Sequence, residues 1–139
     1  MAKPFKLFSF KDTYKEPKKE IQPHIITEYE KKLIEFLTPV IRNRQLIKFW
    51  YKDTDKDLEQ WRTIEPHLIG QTKFKAANIF LVGWFIPTLE QLQEGQEEKW
   101  GNYILDNVSQ LEVLKETYKI PRFGYNPDDK RMTSIFCAT

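Results

Sequence analysis

Hydrophobic and polar residues first follow a helical pattern near residue 27. Leu33 and Leu37 recur at helical spacing, with charged residues between them. Thr27 and Glu30 form a capping box, in which the hydroxyl accepts from the backbone N–H three residues on and the carboxylate reaches back. The pattern predicts a helix that begins after Thr27. At Pro39 this helix either bends or ends, and a second short helix then starts there.

From Leu46 the pattern changes to the alternation that is typical of β-strands. Five strands are predicted, with approximate bounds 46–52, 60–68, 78–86, 100–106 and 110–115. The third, NIFLVGWFI, is apolar on both faces and is therefore predicted to be central. Between it and the fourth, residues Thr88 to Lys99 are rich in Glu and predict a loop or a short acidic helix. The apolar segment Ile135 to Cys137 could add a final edge strand.

One short helix followed by about five short strands predicts a mainly β fold, a small and strongly bent barrel rather than a two-sheet sandwich. We divide the chain into three parts. Residues 1–26 form a basic arm, whose first 23 residues hold six Lys, three acidic residues and three Pro. Residues 27–116 form the helix-plus-barrel domain, and residues 117–139 form a C-terminal tail.

Composition excludes several classes of protein. The chain has 139 residues, 40% of them hydrophobic, which suits one globular domain. A lone Cys137 excludes an internal disulfide and a cysteine zinc site. The longest apolar stretch, residues 79–87, is too short for a membrane span, so we expect a cytoplasmic protein. The net charge is only +2, but residues 42–75 carry eight Lys and Arg against five acidic residues, so any cationic site is local.

No catalytic pattern is present in the sequence. The possible bases are His24, in the Pro-containing arm, and His67, in the second predicted strand, and neither has a recognisable catalytic context. The five Gly residues are scattered singly, without a phosphate-loop spacing. The D-x-D-x-D run that starts at Asp53 lacks the Gly and Glu of a calcium loop, because Leu58 and Ile64 stand at those positions. We therefore expect a protein that is not an enzyme and has no metal or cofactor.

Basic residues alternate with aromatic residues on the predicted strands. Lys48 to Lys52 reads KFWYK, Trp61 precedes Arg62, and Lys73-Phe74-Lys75 follows. Rings of this kind can stack bases while the cations hold phosphate, although a single ring in such a pattern is more often a core residue beside a solvated lysine. Arg62 lies among apolar neighbours, where a guanidinium has a defined anionic partner. That partner is Glu65, Asp106 or a ligand.

The order of these motifs resembles the WYL domain, a bacterial module usually found behind a DNA-binding helix-turn-helix. The resemblance runs from Leu33 to Leu114. It rests on four segments, which are the strand LIKFWY, WRTIEPHLIG at 61–70, IFLVGW at 79–84, and NYILDNV followed by QLEVL. Two signature residues differ, since Ile stands for Trp and Phe for Tyr in the third segment. Residues 1–26 show no helix-turn-helix pattern, so we expect a standalone member.

This resemblance implies an Sm-like or SH3-like barrel that senses nucleotides or single-stranded nucleic acid. Carried over by position, Arg62 and His67 belong to the binding surface, and stacking platforms are expected at Tyr51, Phe80 and Trp84. Asn107 stands where the family places an Arg, which removes a charge-assisted phosphate contact worth about 1.5 to 3 kcal/mol.

Two functions are therefore carried forward. The first is a regulatory module that recognises a phosphate-bearing ligand through a strand surface centred on Arg62, His67 and Lys48. The alternative is an interaction protein in which NIFLVGWFI and the C-terminal SIFCAT form a homodimer or dock on a partner protein.

Overall fold

The computed structural model describes residues 25–73 and 78–139. Residues 1–24 of the predicted arm, and Phe74 and Lys75 of the third basic segment, lie outside them. Within the described residues, two α-helices, a 3₁₀ turn and six strands follow one another. They are α1 (Glu28–Arg42), β1 (Gln45–Asp53), β2 (Leu58–Thr72), β3 (Ile79–Phe85), α2 (Leu89–Gln93), β4 (Lys99–Ile104), the turn Leu105–Asn107, β5 (Val108–Thr117) and β6 (Met132–Ala138).

The helix α1 begins at the predicted capping box. Thr27 Oγ1 accepts from the Glu30 backbone N–H at 3.1 Å, and Glu30 Oε1 accepts from the Thr27 N–H at 2.9 Å. The helix runs as one segment with Pro39 inside it, which decides between the two predicted outcomes. Its apolar face is buried against the sheet. The buried apolar residues are Leu33, Leu37, Val40 and Ile41.

The strands form one antiparallel sheet in the order β4-β3-β2-β1-β5, with β6 paired to β2. The long strand β2 pairs with β1 along its first half and with β6 along its second half. A register irregularity between Pro66 and Leu68 interrupts its pairing with β3. Proline cannot donate to a ladder and is tolerated at such a position. The mainly β prediction is confirmed, and the predicted C-terminal edge strand is the sixth strand.

The strand β3 is central, as its apolar pattern predicts, and it pairs with β2 on one edge and β4 on the other. Both edges are therefore occupied within the sheet. A paired strand has no free backbone groups to offer a partner, so docking through NIFLVGWFI, which stays a prediction, would use its side chains.

Two apolar clusters hold the sheet together. The larger lies between α1 and the sheet, and its fully buried members include Leu37, Ile41, Phe49, Ile64 and Phe85. A smaller cluster on the other face of β2 and β3 contains Leu68, Val82 and Met132, with Trp100 and Tyr125 packed against it.

The acidic segment after β3 forms the short helix α2, which Thr88 caps through a second capping box with Gln91.

Neither of the helices described here has the length and apolar character that crossing a membrane requires.

Candidate functional site

Arg62 lies on β2 with its side chain on the core face of the sheet, and the residue is only 7% exposed. The guanidinium carbon is 4.8 Å from the centre of the Phe85 ring and 5.9 Å from that of the Tyr103 ring. These cation–π contacts fix the plane of the guanidinium and stabilise its charge. The group is therefore positioned by packing before any ligand arrives.

No carboxylate of the described residues forms an ion pair with Arg62. The prediction that Arg62 forms an ion pair with Glu65 or Asp106 is wrong. Glu65 pairs with Arg122 instead, and Asp106 is exposed in the 3₁₀ turn. The Gln60 amide lies against the guanidinium instead. An amide oxygen placed on that side is 2.8 Å from Nη2 and 2.9 Å from Nη1. A neutral amide leaves the positive charge uncompensated, although a buried guanidinium normally has an anionic partner.

A cleft of about 360 Å³ opens beside Arg62. Residues from both faces of β4 line one side of it, so the cleft follows the edge of that strand. The turn between β1 and β2 forms the opposite side. Lys56 and Lys99 add positive charge at the rim, where Asp53 and Asp55 oppose them. The cleft is therefore weakly cationic, with its most buried cation at Arg62.

Two tyrosine hydroxyls complete the polar lining of the cleft. The Tyr51 oxygen accepts from the backbone N–H of Ile104 at 2.9 Å. Burial raises the pKa of Tyr51. Burial also raises the pKa of Tyr103 to about 12, although the positive charge of Arg62 acts to lower it. Both side chains consequently stay protonated at neutral pH and can donate hydrogen bonds to an anion.

The cleft brings together three of the seven residues predicted for the site, namely Arg62, Tyr51 and Phe80. The other four lie elsewhere. Lys48 is on the opposite face of β1, with its Nζ 4.9 Å from the centre of the Trp61 ring.

Trp84 and Asn107 also lie apart from the cleft. The guanidinium carbon of Arg122 lies 5.4 Å from the centre of the Trp84 ring. Trp84 Nε1 donates to Glu98 Oε1 at 2.8 Å. Asn107 ends the 3₁₀ turn and is partly buried.

His67 is fully buried and does not reach a binding surface. Its Nδ1 lies 2.8 Å from the Glu65 carbonyl oxygen, and its Nε2 accepts from the Arg122 backbone N–H at 3.1 Å. The Tyr118 ring stacks on the imidazole with centroids 4.7 Å apart. Burial, together with the charges of Arg122 and Arg44, lowers the pKa of His67. The residue is therefore a neutral anchor for the segment that follows β5.

Three residues that sequence reasoning did not single out complete this picture. Gln60 faces the guanidinium, Trp100 is among the residues that line the cleft, and Arg122 pairs with Glu65. The signal for Gln60 was present in the sequence, because strand alternation places residues 60 and 62 on one face. Arg122 had no such signal, since it meets β2 only through folding of the tail.

Within residues 25–73 and 78–139, no group of three or more His, Cys, Asp and Glu side chains could hold a metal ion.

No family model matches the sequence, and no curated protein matches it. Among solved structures, the chain is similar to proteasome accessory factor B/C (PafBC) of Arthrobacter aurescens, with a TM-score of 0.48 and 17% identity. The match covers 77% of this chain and 15% of that one. The resemblance to the WYL domain drawn from the motifs therefore stays a prediction.

Proposed function

We propose that this domain is a non-enzymatic, regulatory module that binds a phosphate-bearing ligand, a nucleotide or a short single-stranded nucleic acid, in the Arg62 cleft. One observation carries the proposal: a guanidinium that is 7% exposed and forms no ion pair with a described residue borders an open cleft. A phosphate would supply the missing anion, and the guanidinium could bind it through two parallel hydrogen bonds.

The size and lining of the cleft support a nucleotide. A volume of about 360 Å³ falls within the roughly 300 to 1,000 Å³ that is typical of small-molecule sites. Phe80 and Trp100 line the same cleft, and their rings, which also pack against the smaller apolar cluster, could stack a base, while Lys56 and Lys99 could contact further phosphates. Because the cleft follows the edge of β4, a short single strand could extend along it.

The order of elements supports the same proposal. A helix, the strand LIKFWY and the later strands follow one another as the resemblance to the WYL domain implies. On that resemblance we infer a barrel of the Sm-like or SH3-like kind whose opening is the Arg62 cleft.

Ligand titrations on four proteins test this proposal. The wild type, Arg62→Gln, Arg62→Lys and Lys48→Gln are titrated with nucleoside monophosphates and with a labelled single strand of about eight nucleotides. Lys48→Gln is the matched control, because it removes one positive charge from the same hairpin on the opposite face. Thermal melts establish that each variant is folded.

We expect saturable binding that weakens as salt rises from about 50 to about 200 mM. Arg62→Gln should weaken it by about 10- to 100-fold, since a charge-assisted contact is worth roughly 1.5 to 3 kcal/mol. Arg62→Lys should retain part of the affinity, because an ammonium keeps the charge and loses the fork geometry. Equal loss in Lys48→Gln, or an unchanged affinity in folded Arg62→Gln, would refute the assignment.

A further inference from the structure

A second concave surface lies on the face of the sheet opposite the Arg62 cleft. We call it the tryptophan groove, and it has a volume of about 290 Å³. Its principal lining residues are Lys48, Trp50, Glu59, Trp61, Glu90 and Glu94. The first four come from the β1–β2 hairpin and the last two from α2 and the residue after it. Strand alternation separates this groove from the Arg62 cleft, since residues 48, 50 and 61 point away from Tyr51 and Arg62.

The floor of the groove is a pair of tryptophan rings that the fold leaves accessible. Trp50 and Trp61 are directly opposite each other in the β1–β2 ladder, with ring centroids 5.3 Å apart at 76°. Trp61 is 39% exposed. The Nζ atom of Lys48 lies 4.9 Å from the centre of the Trp61 ring. The environment of this ring is therefore one in which a cation is stabilised.

The wall of the groove is acidic. Glu90 and Glu94 are four positions apart, both are exposed, and neither forms an ion pair within the described part of the chain. Like charges at this spacing repel each other, so a cation placed between them relieves that repulsion. Glu59 adds a third carboxylate, whose Oε1 accepts from Trp50 Nε1 at 3.1 Å. Three carboxylates against the single Lys48 make the groove net negative, although the whole chain is net positive.

An apolar margin adjoins this acidic wall. Leu89 and Leu92, which α2 carries three positions apart, are 72% and 50% exposed. Exposed leucines next to accessible tryptophans form an apolar patch of the kind found at protein interfaces.

We propose that the tryptophan groove binds a basic segment of a partner protein. An Arg or Lys of that segment lies on Trp61 between Glu90 and Glu94, and an apolar neighbour contacts Leu89 and Leu92. Charge complementarity selects this partner, because aromatic rings and carboxylates together bind cations and exclude nucleic acid, which is repelled by the same carboxylates. The groove and the Arg62 cleft share no lining residue, so a ligand in the cleft and a partner in the groove can be held at once, and Gln60, which lines the groove and contacts the Arg62 guanidinium, lies between them.

Labelled octaarginine and octaglutamate are the probes for this groove, followed by fluorescence anisotropy with the full chain. Octaarginine should bind saturably and octaglutamate should not. The double variant Glu90→Gln/Glu94→Gln and the variant Trp61→Ala should each weaken octaarginine binding at least tenfold. The matched control is Glu35→Gln/Glu112→Gln, which removes two exposed carboxylates on α1 and β5 and should leave the affinity unchanged.

Two results overturn the proposal. The first is equal weakening in the groove variant and the control, which means that any surface carboxylate serves. The second is a rise in octaarginine affinity when the six Lys within residues 1–23 of the chain are replaced by Gln in the full chain. Unchanged octaarginine affinity supports a partner in trans. A rise in affinity means that this chain's own lysines compete for the groove, and the partner is then intramolecular.

Discussion

Replacing Arg122 with alanine removes the guanidinium that neutralises a buried carboxylate. Arg122 Nε donates to Glu65 Oε1 at 2.7 Å, and Nη2 donates to Oε2 at 2.9 Å. The Glu65 side chain is 6% exposed, whereas that of Arg122 is 40% exposed. The hydrogen bonds to Glu65 raise the pKa of the Arg122 guanidinium, so its charged form is favoured there. The alanine variant leaves the buried carboxylate of Glu65 on β2 without its ion-pair partner.

The expected cost follows from these exposures. Removing one partner of a fully buried pair costs about 3 to 5 kcal/mol, and an exposed pair contributes about 0 to 1 kcal/mol. Because one partner here is buried and the other is partly solvated, we expect Arg122→Ala to lower the free energy of unfolding by about 2 kcal/mol. For a domain of this size the melting temperature should fall by roughly 6 to 10 °C.

Urea unfolding followed by circular dichroism measures this free energy. Arg131→Ala is the matched control, because Arg131 also pairs bidentately with a carboxylate, with Nε donating to Asp129 Oδ1 and Nη2 to Asp129 Oδ2. That pair is local and its arginine is 54% exposed, so its loss should cost at most about 1 kcal/mol. The double variant Glu65→Gln/Arg122→Ala should recover part of the loss, since no charge is then buried. If Arg122→Ala costs no more than the control, Glu65 is solvated and the reasoning fails.

The remaining predictions concern pH and packing. The pKa of His67 is lowered in the folded protein, so the folded state binds fewer protons than the unfolded state near pH 6. The contribution of His67 to the free energy of unfolding should be fully present above about pH 6.5 and should fall as the pH drops from there through the folded pKa. In a folded His67→Gln variant, the free energy of unfolding should no longer change with pH in that range. A wild-type unfolding midpoint that is flat from about pH 7.5 to 5 would contradict this. Gly83→Ala should destabilise by about 1 to 3 kcal/mol, because the new Cβ would lie 2.8 Å from the Glu65 carbonyl oxygen and 2.7 Å from Ile64 Cδ1, and a melting temperature equal to that of the wild type would show that β2 and β3 can separate at no cost.

Local patterns predicted the elements well. The capping box at Thr27 begins α1, and the alternation after Leu46 gives β1. The apolar run at 79–85 is the central strand β3. Each of these predictions depends on neighbours within a few residues, where the spacing of side chains is fixed by the backbone geometry itself.

Partners were harder to predict than elements. Glu65 lies three residues from Arg62 and was a reasonable candidate, yet strand alternation sends residues 62 and 65 to opposite faces of β2. Arg122 is 57 residues from Glu65 and reaches it only because the tail folds back over the sheet. No local pattern in the sequence predicts such a long-range contact.

The role of His67 was likewise not predictable from local sequence. Its type and position resemble those of a ligand-binding residue, and its hydrogen-bonding capacity is identical in either role. Packing decided between them, because Tyr118 and Tyr125 contact the ring, the Arg122 backbone N–H donates to Nε2, and Nδ1 lies against the Glu65 carbonyl oxygen.

The sequence by itself therefore determined a mainly β domain with one capped helix, a central apolar strand and a C-terminal edge strand, since these depend on short-range periodicity. Tertiary structure alone decided which charges are compensated. It gave Glu65 an arginine from the tail, left Arg62 with a neutral amide beside an open cleft, and set Lys48 on the opposite face over Trp61. The physical reason is that electrostatic partners are chosen by distances of a few ångströms in space, and those distances exist only after strands far apart in the chain have paired.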